Sequence, residues 1–136
     1  MIEQQTFSIG ILRNLLSILP DGVFTMVHKR LLSEPLADRD KKWTTAVNSI
    51  YKLFMPSNVD DFFDIELAEK DYHKYLILLG WMCTSTHPFI RGRLLRRLVD
   101  LFDKAPELSQ EALRLFSSCN DMYVVEMIIC AIYGHL

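Results

Sequence analysis

Apolar residues recur at every third or fourth position along most of this chain, and that spacing constrains the fold more than any other feature. The clearest run places Ile90, Leu94, Leu98 and Phe102 four residues apart, which puts all four on one face of an α-helix. No segment alternates β-branched and polar residues as a half-buried strand requires. The sequence therefore predicts an all-α fold of about six to eight helices.

Helix boundaries follow from the prolines and from residues that cap helix ends. Pro20 and Pro35 interrupt the first part of the chain, and Asp38 or Asp40 is expected to cap the third helix. Pro106 is expected to open the sixth helix. The predicted helices are residues 5–19, from Val23 to before Pro35, from Asp38 or Asp40 to about Phe54, 68–84, 88–104, from Pro106 to about Phe116, and 122–133.

The degree of burial is predicted to differ among these helices. The helix at 68–84 is apolar all round from Tyr75 onward, so it is expected to be the most buried element. The second helix is expected to turn Val23, Met26, Val27 and Leu31 inward. The acidic stretch from Val59 to Glu66 is either a short helix or a wrapped loop.

Two segments of the chain resemble each other at an offset of 34 residues. His87-Pro88-Phe89-Ile90 aligns with Asp121-Met122-Tyr123-Val124, and the apolar stripes that follow align as well. Each segment has a polar cap, an aromatic residue, a β-branched residue and then the stripe. Helical hairpins repeated at such a period are typical of solenoids. The expected architecture is an α-solenoid (HEAT/armadillo-like) of antiparallel helical hairpins, forming a single domain over residues 1–136.

The same residues carry a resemblance to known families. The opening His87-Pro88-Phe89-Ile90-Arg91-Gly92-Arg93 resembles the helix openings of HEAT-type repeats. Three blocks, residues 37–43, 86–93 and 120–134, resemble a helical region of large bacterial ATP-binding proteins of the NACHT or STAND type, although Met122 stands where that pattern usually has proline. The resemblance implies a scaffold or sensor role beside a nucleotide-binding domain, and the chain is expected to be part of a larger protein.

The sequence lacks the motifs of common cofactor sites. None of its five glycines is followed by Lys-Ser or Lys-Thr, so it contains no phosphate-binding loop of the GxxxxGK[ST] type. Cys83 and His87 have the spacing of two metal ligands on one helix, but a break is expected between them. The three cysteines suit free thiols in a reducing cytoplasm better than a disulfide framework. We predict no cofactor, no metal and a cytoplasmic location.

Catalytic chemistry is also not expected. Asp71 with His73 could act as an acid–base pair, as could the acidic cluster at residues 60–66, but adjacent acidic residues usually form a solvated face. Several aromatic residues could line a ligand groove, although helical spacing favours a place in the core. They are Phe62, Phe63, Tyr72, Tyr75 and Trp81. The chain is predicted not to be an enzyme.

Four arginines on one helix form the main candidate binding site. Arg91, Arg93, Arg96 and Arg97 lie within seven residues, and guanidinium groups suit phosphate and carboxylate. Arg96 is expected to pair with Asp100 at i,i+4. This flank either binds a nucleic-acid backbone or an acidic protein surface, or it is a solvated surface whose arginines pair with carboxylates of neighbouring repeats. The net charge of −2 gives no overall attraction to nucleic acid.

The preferred hypothesis is a non-catalytic interaction or scaffold module, serving as the sensor or regulatory part of a bacterial NTPase. Its partner is expected to be a protein or an adjacent domain of the same polypeptide. The alternatives are self-association through exposed apolar helix ends and nucleic-acid binding through the Arg91–Arg97 flank. No membrane contact is expected, because the longest apolar run falls well short of the roughly 20 residues that a bilayer span needs. The candidate packing interface is on the last helix: Met127, Ile128, Cys130, Ile132 and Tyr133.

Overall fold

The computed structural model describes residues 16–48 and 68–136, and all regular structure in these two ranges is helical. The predicted all-α class is therefore confirmed for this part of the chain. The predictions for residues 5–15, for 49–54 and for the stretch from Val59 to Glu66 lie outside the described residues. None of the described helices is long and apolar enough to cross a membrane.

Six α-helices lie wholly within the described part of the chain, and residues 16–18 and 45–48 are helical as well. A π-helical turn, Asp40–Thr44, extends α2, and a 3₁₀ turn, Glu69–Asp71, leads into α3. The helices are α1 (Asp21–Ser33), α2 (Leu36–Arg39), α3 (Tyr72–Met82), α4 (Pro88–Lys104), α5 (Glu107–Phe116) and α6 (Met122–His135).

The helix ends of the second half follow the predicted capping chemistry. His87 Nδ1 accepts a hydrogen bond from the backbone N–H of Phe89 at 3.2 Å, which begins α4. Asp121 Oδ1 accepts from the N–H of Tyr123 at 3.0 Å, which begins α6. These two caps lie 34 residues apart and satisfy the equivalent donor in each helix. The predicted start of both helices is confirmed.

The predicted cap of the third helix was wrong. α2 begins at Leu36, directly after Pro35 in an extended conformation, and Asp38 lies within its first turn. A carboxylate is favourable there because of the positive end of the helix dipole. Asp40 instead accepts a hydrogen bond from the Thr44 hydroxyl at 2.9 Å.

The core is organised around α3. Eight of its eleven residues are buried, and it packs against α1, α4, α5 and α6. This confirms the prediction that it is the most buried helix. The predicted stripes of α4 and α5 are also buried, since each of these side chains is at most 9% exposed: Ile90, Leu94, Leu98, Phe102, Leu108, Ala112, Leu115 and Phe116.

The orientation predicted for α1 was partly wrong. Leu31 is buried as expected, but Met26 is 65% exposed and Val27 is exposed as well. His28 occupies the inner face instead, where its Nδ1 accepts a hydrogen bond from the Trp81 indole at 2.9 Å. The hydrogen bond compensates for burying a polar ring. His28 can therefore take the inward position that the apolar spacing had predicted for Met26 and Val27.

In the second half of the chain, helices pack against the helix that comes two positions later. α4 lies against α6, the most extensive helix pair of the described structure, and α3 lies against α5. The two ends of the α4–α6 pair are fixed by polar contacts. Arg91 donates to the carbonyl of Tyr123 at 3.1 Å, and His135 Nδ1 lies 2.6 Å from an Asp103 carboxylate oxygen. The first turn of α4 contacts the first turn of α6, and the last turns also contact each other, so the two helices run parallel.

Candidate interaction surface on the last helix

The residues predicted as a packing interface divide between the two sides of α6. Met127 and Ile128 are buried in the protein's own core, and Ile132 is half-buried against it. Cys130 and Tyr133 are exposed. Only part of the predicted set is therefore available to another molecule.

The side of α6 that points away from the core carries large apolar side chains. Met122 is 83% exposed, Tyr133 is 74% exposed and Ile129 is 42% exposed. Glu126 lies between them, and Leu136 continues the same row. The spacing of these residues is alternately four and three, which keeps them on one stripe of the helix. We call Met122, Glu126, Ile129, Tyr133 and Leu136 the outer face of α6.

A helix that is apolar on both sides is characteristic of an element with neighbours on both sides. The inner side of α6 buries Val124, Met127, Ile128 and Ala131. The outer face adjoins a groove of about 490 Å³ that runs toward the α5–α6 connection, and its lining includes Cys119, Val125 and Cys130. The groove and the outer face together form an exposed apolar surface with one carboxylate.

The four arginines predicted as a binding site are not equivalent in the structure. The Nη1 atom of Arg91 donates to the carbonyls of Cys83 at 2.9 Å and Ser85 at 3.0 Å. Its guanidinium also lies over the Tyr123 ring, 5.4 Å from the centroid. Arg91 therefore joins the end of α3 to the starts of α4 and α6, which is a structural role.

The other three arginines have separate surroundings. Arg93 lies over the Phe89 ring at 4.7 Å, and Arg97 Nη1 pairs with Asp100 at 3.4 Å. The predicted pairing of Arg96 with Asp100 was wrong, because Asp100 pairs with Arg97 instead. Arg96 is exposed, and Arg93 and Arg97 are half-buried. The structure does not bring the four guanidinium groups together as one exposed patch.

The pairs considered for metal or acid–base chemistry have other partners. Burial raises the pKa of the Cys83 thiol to about 12, and its Sγ donates to the Leu79 carbonyl. Asp71 pairs with Lys74 at 3.0 Å, and His73 pairs with Glu111 at 3.1 Å. Within the described ranges, no group of three His, Cys, Asp or Glu side chains is arranged to hold a metal ion.

The aromatic residues considered for a ligand groove lie in or beside the core. Trp81 and Tyr75 are buried, and Tyr72 is half-buried against the core. Phe62 and Phe63 lie outside the described residues. An apolar cavity of about 200 Å³ lies beside Trp81, and its lining consists of side chains from α1 and α3 together with Leu16, Leu19 and Trp43.

A buried arginine was missed by the sequence reasoning. Arg39 is fully buried, and it donates to the Leu31 carbonyl at 3.1 Å and to Asn120 Oδ1 at 2.7 Å. Its guanidinium also lies 5.2 Å from the Trp81 ring centroid. Burial raises the pKa of nearby Asp121, whose Oδ2 is 4.0 Å from Arg39. An arginine in a run of charged residues gives no local signal that distinguishes it from a solvated one.

Comparison with known proteins identifies no relative of this chain. No protein-family model matches it. No curated protein and no solved structure matches it significantly. The resemblance to NACHT- or STAND-type helical regions therefore depends only on the three sequence blocks that suggested it.

Proposed function

We propose that the protein is a non-catalytic helical-repeat module of the α-solenoid type that binds a protein partner through the outer face of α6. The observation that carries this proposal is the row of exposed Met122, Ile129 and Tyr133 on a helix whose opposite side packs into the core. Contiguous exposed apolar surface of this kind is characteristic of interaction sites.

The solenoid part of the proposal is supported by the repeat at an offset of 34 residues. His87 and Asp121 cap α4 and α6 through the same bond. The core positions Ile90 and Leu94 correspond to Val124 and Ile128, and all four are at most 1% exposed. Parallel packing of α4 on α6, with α3 on α5, is the arrangement of equivalent helices in successive hairpins.

The sensor or regulatory role beside a bacterial ATP-binding domain extends the proposal. It is supported by the resemblance of the three sequence blocks and by the lack of a phosphate-binding loop in this chain, which would leave nucleotide binding to another domain. In that arrangement the outer face of α6 would receive the neighbouring element or a protein that the module senses.

Site-specific photo-cross-linking tests the binding function. A photoreactive phenylalanine analogue replaces Tyr133 in the full chain, and the control chain carries it at Met26, an exposed apolar position on α1. The chains are expressed in the native cells, irradiated, and the adducts identified by mass spectrometry. We expect one reproducible protein adduct from position 133 and none from position 26. Equal adducts at both positions, or no adduct at position 133, would contradict the proposal.

A further inference from the structure

We propose that a polar cavity between the π-helical turn, the segment after α3 and the start of α6 binds a small neutral compound with neighbouring hydroxyl groups, of monosaccharide size. The inference goes beyond the proposed function and does not depend on it, because Tyr133 lies at the other end of α6. It follows from hydrogen-bonding groups of the cavity wall that the contacts within the protein leave available.

The cavity has the size of a small-molecule site. Its volume is about 540 Å³, and such sites commonly measure about 300–1,000 Å³. It is formed by α2 with the π-helical turn and the residues after it, by the segment after α3, and by the start of α6. π-Helical turns are rare and are frequent at functional sites. The polar part of the wall includes Asp40, Thr44, Asn48, Thr84, Asn120 and Asp121.

Thr84 provides the observation that points most directly to a ligand. Its side chain is 2% exposed, and its Oγ1 makes no hydrogen bond within the described part of the chain. Buried hydroxyl groups normally have a partner, because an unsatisfied polar group is costly to bury. Since Thr84 belongs to the cavity wall, a ligand in the cavity would supply the missing hydrogen bond.

Two asparagine side chains are held so that their amide nitrogens remain as donors. The Arg39 guanidinium, which can only donate, bonds to Asn120 Oδ1 at 2.7 Å. The Ser85 hydroxyl donates to Asn48 Oδ1, and its oxygen accepts from the His87 N–H at 3.2 Å. Because both asparagine oxygens accept from the protein, the group that each side chain offers to a ligand is the NH₂ donor.

The two carboxylates supply acceptors and disfavour an anionic ligand. Asp40 Oδ1 accepts from the Thr44 hydroxyl at 2.9 Å, which leaves Oδ2 as an acceptor. Asp121 accepts from the Tyr123 N–H, and the Arg39 guanidinium lies 4.0 Å from its Oδ2. Burial raises the pKa of Asp121, and the negative charge of Asp40 raises it further. A third negative charge between these groups would be unfavourable.

Hydroxyl groups fit this combination of donors and acceptors. A hydroxyl donates one hydrogen bond and accepts two, so neighbouring hydroxyls would accept from the asparagine amides and from Thr84 while donating to Asp40. An ammonium group cannot accept from the amides, and a phosphate cannot donate to Asp40. Met122 and Tyr123 add apolar surface to the wall, which suits the C–H groups of a sugar ring.

Saturation-transfer NMR on the full chain tests the inference. The probes are the methyl α-glycosides of glucose, mannose and galactose. Agmatine serves as the cationic control, and N-acetylglycinamide serves as the control with peptide groups in place of hydroxyls. We expect saturable binding of at least one glycoside, with a dissociation constant in the millimolar range, and no binding of either control.

Three variants connect the binding to the cavity. Asp40→Asn removes a charged acceptor and should weaken glycoside binding about tenfold. Asp38→Asn, an exposed carboxylate of the same segment that lies outside the cavity wall, should leave binding unchanged. Thr84→Val should weaken binding about threefold without lowering the stability of the unliganded protein, because the hydroxyl that it removes has no partner there. A purely structural hydroxyl would give lower stability and unchanged binding.

The inference would be overturned if no glycoside bound, or if the wild type and Asp40→Asn bound a glycoside equally well. Binding of agmatine alone would identify a cation site instead, and binding of N-acetylglycinamide alone would identify a site for peptide groups. Photo-cross-linking at position 133 reports on the outer face of α6, so each of these results would leave the proposed function intact.

Discussion

Replacement of Gly80 by alanine tests the packing at the centre of the fold. Gly80 lies on α3 directly beneath the Phe116 ring of α5, and a Cβ there would overlap the ring. Even the third-nearest ring carbon, Cε1, would lie only 3.0 Å away. Phe116 is 1% exposed, and its ring is held edge-on against Trp81 and His28, with centroids 5.4 Å and 5.2 Å apart. The ring therefore has little room to move.

The expected magnitude is the sum of two opposing effects. Alanine favours the helix over glycine by about 1 kcal/mol. Forcing a methyl group into a packed core costs about 1–3 kcal/mol, and occasionally more. Because three aromatic rings would have to shift together, we expect the upper part of that range and a net loss of roughly 2 kcal/mol for Gly80→Ala. Urea unfolding followed by circular dichroism measures it.

Gly92 on α4 supplies the matched control. It also lies in a helix, but a Cβ there would meet no atom of the described residues within 4 Å. Gly92→Ala should therefore stabilise the protein by about 0.5–1 kcal/mol. In the Gly80→Ala background, Phe116→Leu should cost less than it does alone, because the smaller side chain makes room for the methyl group. Equal stability of the two alanine variants, or additive effects of Gly80→Ala and Phe116→Leu, would refute the described contact.

Three further predictions concern buried polar groups and thiols. Burial lowers the pKa of His28 from 6.5, so the unfolded chain binds the proton more readily than the folded protein, and the free energy of unfolding should fall as the pH drops below about 6.5. His28→Gln should reduce the difference in unfolding free energy between pH 7.5 and 5.5, measured by urea titration, and an unchanged difference would contradict the prediction. Arg39→Leu should cost roughly 3 kcal/mol by leaving buried acceptors without a donor, and a variant as stable as the wild type in urea would show that the buried bonds contribute little. Cys130, which is exposed, should react with a thiol reagent at once, whereas Cys83 and Cys119, which are buried, should react only after urea unfolding; three thiols titrating together in the native protein would disprove their burial.

The helices of the second half could be predicted from the sequence because their signals are local. Pro88 and Lys104 bound α4 as predicted, and the stripe that begins at Ile90 is buried along its length. Spacing, a cap residue and a proline are all read within one helix. The predicted repeat between the starts of α4 and α6 has a direct structural counterpart for the same reason.

The errors arose where a distant residue determines the environment. Met26 had the right spacing for burial, but His28 takes the inner side of α1 because Trp81, 53 residues away, provides a hydrogen-bond donor. Arg39 can be buried because the Leu31 carbonyl and the Asn120 side-chain oxygen accept hydrogen bonds from its guanidinium. Apolar periodicity describes which side of a helix is hydrophobic, and it contains no information on which polar groups will meet.

The candidate site was predicted in part. The sequence indicated the last helix, yet it could not separate its two sides, because nearly all of its residues are apolar. Burial of Met127 and exposure of Tyr133 follow from where α4 lies. The arginine flank looked like a binding site because spacing along one helix says nothing about acceptors on neighbouring elements, such as the carbonyls that bind Arg91.

The bond from Arg39 to Asn120 has a consequence for how the protein loses its structure. The two residues are 81 positions apart in the chain, whereas an array of stacked hairpins holds mainly neighbour-to-neighbour contacts and can fray from either end. Here the start of α6 is held by a residue from the first part of the chain. We therefore expect the amides of Arg39 and Val125, which are hydrogen-bonded to the carbonyls of Pro35 and Asp121, to show the same free energy of opening in hydrogen exchange, because the two segments should open together.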